Sequence, residues 1–290
     1  MQQNFKRKHI CYSHFHVVGS GTTPLRCAQI LNEMGLPCVF WETFNGVPSF
    51  SQRRAQMLHI SYQTYNESAL LNTILSCAQK TLIFSVNNPY LFPARLVESS
   101  LVTVINYHNS LLPRHRGVHA EAWTLFENDT ETGITWHIVD IGIDTGNILI
   151  QQTIPLDCTM TSIALLRVQA QLAVSTLRDI LPDILTGHVF GVPQEMDASR
   201  AHLRREIPNN GELSPTWDTE KAWCFLRAMD YGVLQTLGIP FVRCEGIFYG
   251  WRTYEHLGVP AKNSEIMRVG NNICVNGNII LRDIFVYKHR

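Results

Sequence analysis

An α/β domain with a mainly parallel sheet and helices on both faces, followed by a small antiparallel β-rich domain, is the architecture this sequence predicts. Three observations carry that reading. The first third of the chain alternates strand-like and helix-like segments, as parallel sheets covered on both sides do. Leu82 to Val86 is a short, nearly continuous apolar run, the pattern of a strand buried on both faces. Beyond residue 215 closely spaced strand-like runs take over, and Asn276-Gly277 between two of them is a hairpin signal because both residues tolerate φ > 0.

His9 to Val18 is the first strand region, and Gly19-Ser20-Gly21 turns it into a helix from Thr22 to Met34. Cys27, Ile30, Leu31 and Met34 follow the i, i+3, i+4, i+7 spacing and form its apolar face, and Gly35 stops it. Cys38 to Trp41 starts the second strand. Asn66 is placed to cap a helix running to Cys77, since an N-cap Asn accepts an orphan backbone N–H. Asn87 to Pro93 forms a loop at the carboxyl end of the Leu82–Val86 strand, where ligands bind in open α/β sheets. Asn147 to Pro155 reads as another strand, and Ser162 to Leu181 as a long helix broken at Pro182, because proline lacks the donor and clashes backward. Gly187 to Pro215 shifts toward Gly, Pro, Asn and charge and reads as a linker or wrap-around segment. Thr219 to Met229 is an amphipathic helix with Trp223 and Leu226 inward. Strand-like runs follow at Pro240–Cys244, Ile247–Tyr254, Glu265–Val269, Ile273–Val275 and Ile279–Val286. The expected domains are therefore 1–187, a linker over 188–215, and 216–290.

Composition excludes several classes. The 290 residues are 45% hydrophobic, as in ordinary globular proteins, with no apolar run near the ~20 residues a membrane span requires. Lys plus Arg equals Asp plus Glu at 24 each, so no overall field attracts nucleic acid or anionic lipid. The eight cysteines are scattered, without a C-x-x-C pair, and read as free thiols of a reducing compartment. Met1 to Lys8 is basic but is followed by no apolar core with a cleavage site, so a signal peptide is not expected and the chain reads as cytoplasmic.

The chemistry is concentrated between Val104 and Gly146. Val102, Val104 and Ile105 lead to Asn106 and His108, and alternation points this amide and imidazole to one face of a strand end. A second period-2 strand (Ile134, Trp136, Ile138) ends in a Gly-punctuated loop carrying Asp144. Amide, imidazole and carboxylate are the parts an acyl transfer to an amine needs. Any one of them alone is more commonly a turn or packing residue. Asn106-x-His108-x-Ser110-Leu111-Leu112-Pro113 followed by Val139-Asp140-x-Gly142-x-Asp144-x-Gly146 resembles the signature of the folate-dependent formyltransferases, the family of the glycinamide ribonucleotide and methionyl-tRNA formyltransferases.

That resemblance implies a Rossmann-like catalytic domain, 10-formyl-tetrahydrofolate as co-substrate, and no metal. It implies catalytic roles for Asn106, His108 and Asp144, with His137 and Ser110 supporting them. The folate is expected at Asn88, Pro89, Tyr90 and Leu91 and at Val139, Asp140, Gly142 and Asp144, largely through backbone groups. The C-terminal part resembles a shortened form of the barrel found in methionyl-tRNA-type enzymes. Gly117 to Trp123 with Thr135 to His137, and Leu226 to Gly232 followed by Leu237 to Pro240, resemble formyltransferase modules of nonribosomal peptide and polyketide assembly lines. The expected acceptor is therefore the amine of an amino acid, a carrier-bound aminoacyl unit or a related small metabolite. A nucleotide-linked amino sugar is the close alternative, followed by a formyl-tetrahydrofolate hydrolase and a folate-binding protein without turnover. Methionyl-tRNA is disfavoured by net neutrality, Arg200 to Arg205 being the only local basic cluster.

Two other readings are weaker. His115 and His119, four apart, could share a helical face as metal ligands do, but no third ligand is evident and arginines adjoin them. Gly19-Ser20-Gly21 with Glu42 invites a dinucleotide reading, yet Pro24 replaces the third glycine. His14 and His16 read as a pair on one strand face, satisfied by ordinary hydrogen bonds. The oligomeric state is left open.

Overall fold

The computed structural model describes residues 10–43, 50–195, 201–259 and 265–287. The basic segment Met1–Lys8, the start of the first expected strand at His9, and Arg200 lie outside them. The chain divides into two compact units that are discontinuous in sequence. Unit 1 comprises 1–116, 133–153 and 169–200, and unit 2 comprises 117–132, 154–168 and 201–290. Boundaries at 187 and 215 follow the chain, whereas these units follow contacts.

The elements of the first half are β1 (His14–Gly19), α1 (Thr22–Glu33), β2 (Cys38–Glu42), α2 (Phe50–Met57), β3 (Ser61–Thr64), α3 (Glu67–Leu75), β4 (Thr81–Val86), α4 (Ala94–Val97), β5 (Val102–His108), β6 (Arg116–Gly117), α5 (Ala120–Phe126), β7 (Glu131–Ile138), β8 (Ile148–Pro155) and α6 (Ser162–Leu185). One seven-stranded sheet has the order β3-β2-β1-β4-β5-β7-β8. β1 to β5 pair in parallel, and β7 joins β5 antiparallel. The sheet is mainly parallel and Rossmann-like, as the sequence predicts.

Alternation along the strands divides the core into two layers. Phe15 and Val17, Leu82 and Phe84, and Ile105 and Tyr107 face one layer, with Cys27, Ile30 and Leu31 of α1 and Ala173, Leu177 and Leu181 of α6. Val18, Ile83 and Val104 face the other, with Leu70, Leu71 and Ile74 of α3. The Asn66 side chain accepts from Ala69 N at 2.9 Å and caps α3. Pro182 does not break α6, which runs on to Leu185. Only one turn remains beyond the proline, so little of the hydrogen-bond ladder depends on its missing N–H.

Unit 2 contains β9 (Ala201–His202), β10 (Glu212–Leu213), α7 (Thr219–Met229), β11 (Phe241–Cys244), β12 (Ile247–Gly250), β13 (Thr253–His256), β14 (Ile266–Val269), β15 (Asn272–Val275), β16 (Ile279–Arg282) and β17 (Phe285–Val286). Strands β10 to β17 form two four-stranded sheets, β10-β11-β12-β17 and β13-β16-β15-β14, and β9 pairs with β6. Two runs expected as single strands each turn a corner between these sheets. Ile247–Tyr254 divides at Trp251-Arg252, and Ile279–Val286 divides at Asp283, whose φ of 53° is left-handed. Asn276 and Gly277, at φ 54° and 74°, make the expected hairpin between β15 and β16. No helix among the described residues is long and apolar enough to cross a membrane.

The paired histidines of β1 have different surroundings. His14 lies at the exposed end against Gln79 Oε1 at 2.9 Å. His16 is 5% exposed, and Trp41 Nε1 donates to its Nδ1 at 3.0 Å. Burial, helped by the nearby His14 charge, pushes His16 down to about 4. Between that value and the ordinary value near 6.5 the unfolded chain binds the extra proton, so stability is full above pH 6.5 and falls as pH drops toward 4. Urea titrations between pH 7 and 4 are expected to lose roughly 3 kcal/mol from this one group. His16→Gln should flatten that slope, and an unchanged slope would show that the ring does not cause it.

Candidate active site

Strand β5 carries the first two groups. Val104 is buried in the second core layer; two and four residues on, half-buried Asn106 and buried His108 reach the strand's carboxyl end on the same face. β7 runs antiparallel beside it and sets His137 opposite Asn106. The loop after β7 then turns back with Asp144. Asp140 Oδ1 shapes that loop by accepting from Gly142 N at 3.0 Å and Thr145 Oγ1 at 2.6 Å. Asp144 adopts a left-handed φ of 52°. Gly146 passes so close to β7 that a Cβ there would lie 1.9 Å from Ile138 O.

These four side chains form one network. His137 Nδ1 donates to Ile138 O at 2.9 Å, which fixes the tautomer and leaves Nε2 to accept from Asn106 Nδ2 at 3.1 Å. Asn106 Nδ2 also approaches Asp144 Oδ1 at 3.4 Å, as does His137 Nε2 at 3.4 Å. His108 Nε2 donates to His115 O at 2.9 Å, and its Nδ1 lies 3.5 Å from Asp144 Oδ2. Both ring nitrogens of His108 thus face oxygen atoms. Contacts to the Asp144 carboxylate, whose side chain is 14% exposed, are the longest of the set.

A set of amides and hydroxyls, buried at Ser110, Thr135 and Gln169, fixes the surrounding backbone. Ser110 Oγ closes the loop after β5 by donating to Arg114 O at 2.6 Å. Thr135 Oγ1 donates to Ser110 O at 2.7 Å and accepts from Leu112 N and Gln151 Nε2. Gln169 Nε2, on fully buried Gln169, spans Asn109 O and Gly133 O. Gln194 Nε2 donates to both Asp144 O and Gly146 O, at 2.9 and 2.7 Å. Sequence reading missed Thr135, Gln151, Gln169 and Gln194. Each acts on backbone carbonyls many residues away, which no local spacing encodes.

Among the residues expected at the folate, Asn88 is engaged inside its own loop, accepting from Tyr90 N at 3.2 Å and donating to Tyr90 O at 3.0 Å. Tyr90 stacks on Tyr65 with centroids 4.9 Å apart, and Leu91 beyond Pro89 is exposed. Val139 packs against the second core layer and Gly142 sits against Thr145, so both shape the backbone. His115 and His119 share no helical face: both are left-handed, His115 in a loop and His119 as the N-cap of α5. Burial holds His119 below the ordinary imidazole range. Glu42, the acid of the dinucleotide reading, accepts from Tyr62 OH at 2.7 Å.

Residues 60–180 match the family model for formyl transferase. This stretch is a formyl transferase domain, and through it the chain is related to the formyltransferases. The GDP-perosamine N-formyltransferase of Brucella melitensis is 32% identical over 148 residues, covering 51% of this chain and 56% of that protein. The methionyl-tRNA formyltransferase of a Synechococcus species is 35% identical over 111 residues, covering 38% of this chain and 34% of that protein. The chain thus spans about half the length, or less, of these curated relatives. Among solved structures, the sugar 3N-formyltransferase WlaRD, determined with dTDP and 5-N-formyl-tetrahydrofolate, matches with TM-score 0.75 at 19% identity over 93% of this chain and 97% of that one. The N-formyltransferase of Helicobacter canadensis, in complex with folinic acid and dTDP-3-aminofucose, matches with TM-score 0.75 at 18% identity over 93% and 99%.

The formyl transferase domain's Asp144 loop has no room at Gly146. Gly146→Ala must push its backbone off Ile138 O, and urea unfolding should show a loss of about 2 kcal/mol or more. A variant as stable as the parent would show that the loop has another resting position.

Proposed function

We propose that the protein transfers a formyl group from 10-formyl-tetrahydrofolate to the amino group of a nucleotide-linked amino sugar. The observation that carries the reading is the meeting of Asn106, His108, His137 and Asp144 in one hydrogen-bonded cluster at the end of β5. The amino acid or carrier-bound acceptor expected from the sequence gives way to the sugar. A GDP-perosamine enzyme lies among the sequence relatives, and a sugar 3N-formyltransferase and an enzyme bound to dTDP-3-aminofucose lie among the structural neighbours. Exposed apolar side chains in two loops, Leu91 after β4 and Ile141 in the Asp144 loop, suit a planar ring that would cover them.

The roles follow from the hydrogen-bond inventory. His137 Nε2 holds one hydrogen of the Asn106 amide at 3.1 Å; the other reaches only a carboxylate oxygen at 3.4 Å and is the one to turn toward the formyl oxygen. A second donor is the His108 Nδ1–H, 3.5 Å from the carboxylate, which can release that contact for the same oxygen. Each such donor is worth about 3–4 kcal/mol where negative charge builds during amine attack. Asp144 balances the imidazolium and accepts the proton the amine loses, directly or through water. The bound co-substrate supplies the formyl carbon and a nitrogen that is reprotonated as the group leaves. The segment ending at Gln194 keeps the Asp144 carbonyl, and with it the carboxylate, in register.

The test is incubation with 10-formyl-tetrahydrofolate and a panel of nucleotide-linked, free and carrier-bound amines, read as a formyl mass increment. An increment on a nucleotide-linked amino sugar, absent from the other amines, is expected; formylation of the others alone would overturn the acceptor. Asn106→Ala, His108→Ala and Asp144→Asn should each lower kcat about 100-fold or more with the fold intact by circular dichroism. Near-parental rates in any two would remove the assignment. Gln194→Ala is expected to cost about tenfold in kcat with little change in KM, because it loosens the carboxylate rather than a binding contact. A change confined to KM would mean that Gln194 acts on substrate binding instead.

A further inference from the structure

A cavity of about 920 Å³ opens in unit 2, and every residue lining it belongs to that unit. Its volume falls within the range of small-molecule sites, ~300–1,000 Å³. The lining combines aromatic rings with two arginines, and none of it comes from the residues assigned to formyl transfer.

The polar tips of three of the rings are already engaged. Trp223 Nε1 donates to Cys158 O at 2.7 Å, the Tyr254 hydroxyl donates to Asp230 Oδ2 at 2.8 Å, and the Tyr231 hydroxyl is bonded to Glu121. Burial and the adjoining carboxylates push both phenols far up, so neither ionises near neutrality. Tyr231 is itself buried, so the ring surface offered to a ligand is that of half-buried Trp223, Tyr254 and Phe285. Ring surface of this kind selects planar groups that stack.

The charges select the rest of the ligand. Asp230, the acid of the lining, is held by Gly232 N at 2.9 Å and by Tyr254. Arg227 is 4% exposed; its terminal nitrogens bind Asp157 O, Met160 O and Cys224 Sγ, its charge acts on the nearby Asp157 carboxylate, and among the described residues its Nε has no acceptor. Exposed Arg252 lies over the Phe285 ring with its guanidinium carbon 5.9 Å from the centroid. With Asp230 engaged and Arg227 buried, the exposed Arg252 guanidinium is the charge the lining presents, and its fork matches phosphate or carboxylate oxygens.

We infer that unit 2 carries a binding site for a planar aromatic anion of nucleotide size, a nucleoside phosphate whose base stacks among the rings and whose phosphate pairs with Arg252. The ligand shares its nucleotide chemistry with the acceptor proposed above, and Arg252, outside the formyl-transfer residues, is what separates the two sites.

Titration of the full chain with GDP and with dTDP, without folate or amine, tests it by calorimetry and by tryptophan fluorescence. Saturable binding below about 1 mM with quenching is expected, weakened about tenfold by Arg252→Glu and by Trp223→Leu. Arg252 is exposed, so Arg252→Glu should leave the thermal midpoint unchanged and keeps the test valid if Trp223→Leu does not fold. Thymidine and pyrophosphate alone should each bind more weakly than dTDP. Absence of saturable binding, equal affinity in Arg252→Glu, or pyrophosphate binding as tight as dTDP would each overturn the inference. Binding that is equal in Arg252→Glu would place the nucleotide at the formyl-transfer site instead, whereas Arg252→Glu that loses nucleotide binding and keeps formyl transfer separates the two.

Discussion

One half-enclosed carboxylate sets the terms for the site. Asp144 brings a negative charge among an amide and two imidazoles drawn from two neighbouring strands, and a charge removed from water persists only where donors meet it. Asn106 and His108 bring those donors from β5, and pairing β5 with β7 sets His137 where it orients the Asn106 amide. The chain then returns through a loop whose left-handed aspartate, close-packed Gly146 and Asp140 turn leave little freedom. The sheet serves this geometry directly. Val104 anchors β5 in one core layer while Ile105 and Tyr107 anchor it in the other, so the register that aims Asn106 and His108 is fixed from both sides.

How much of this was legible follows from the range of the forces involved. Period-2 alternation is local, and it put Asn106 and His108 on one face from the sequence alone. The α1 stripe, the Asn66 cap and the Asn276-Gly277 turn were readable for the same reason. Asp144 was not local in that sense: its loop could be described, but its return to β5 came only from the family pattern. The residues that hold the site were invisible. Gln151, Gln169 and Gln194 act through amide hydrogen bonds to carbonyls 36 to 60 positions away, and Gln194 lies in a stretch whose composition reads as a linker. The corners at Trp251-Arg252 and Asp283 escaped because apolar alternation continues across them, while the change of sheet is decided by backbone conformation.

The same distinction explains the acceptor. The segments around Gly117–Trp123 and Leu226–Gly232 were read as marks of assembly-line modules. In the folded chain Glu121 and Tyr231, one from each segment, bind one another in the interior of unit 2 at 3% and 1% exposure. Ser162 Oγ donates to Ala228 O beside them at 2.7 Å. A buried carboxylate needs such a partner, so these residues are constrained by packing whatever the acceptor is. Sequence likeness at positions of this kind reports a shared way of closing the unit. Acceptor choice rests on groups that remain free to meet a ligand.

Within the catalytic cluster the two imidazoles differ through the backbone carbonyl each one meets. Ile138 O takes the Nδ1 hydrogen of His137, so that ring presents a lone pair at Nε2 and can only orient the Asn106 amide. His115 O takes the Nε2 hydrogen of His108, so that ring presents Nδ1 to the carboxylate and there becomes a donor when protonated. The left-handed turn at His115 matters for that reason: it aims a main-chain oxygen at His108, and the ring of His115 has no part in this assignment. One carboxylate can then serve a fixed amide on one side and a cationic donor on the other, because the main chain has already settled which nitrogen of each ring it will face.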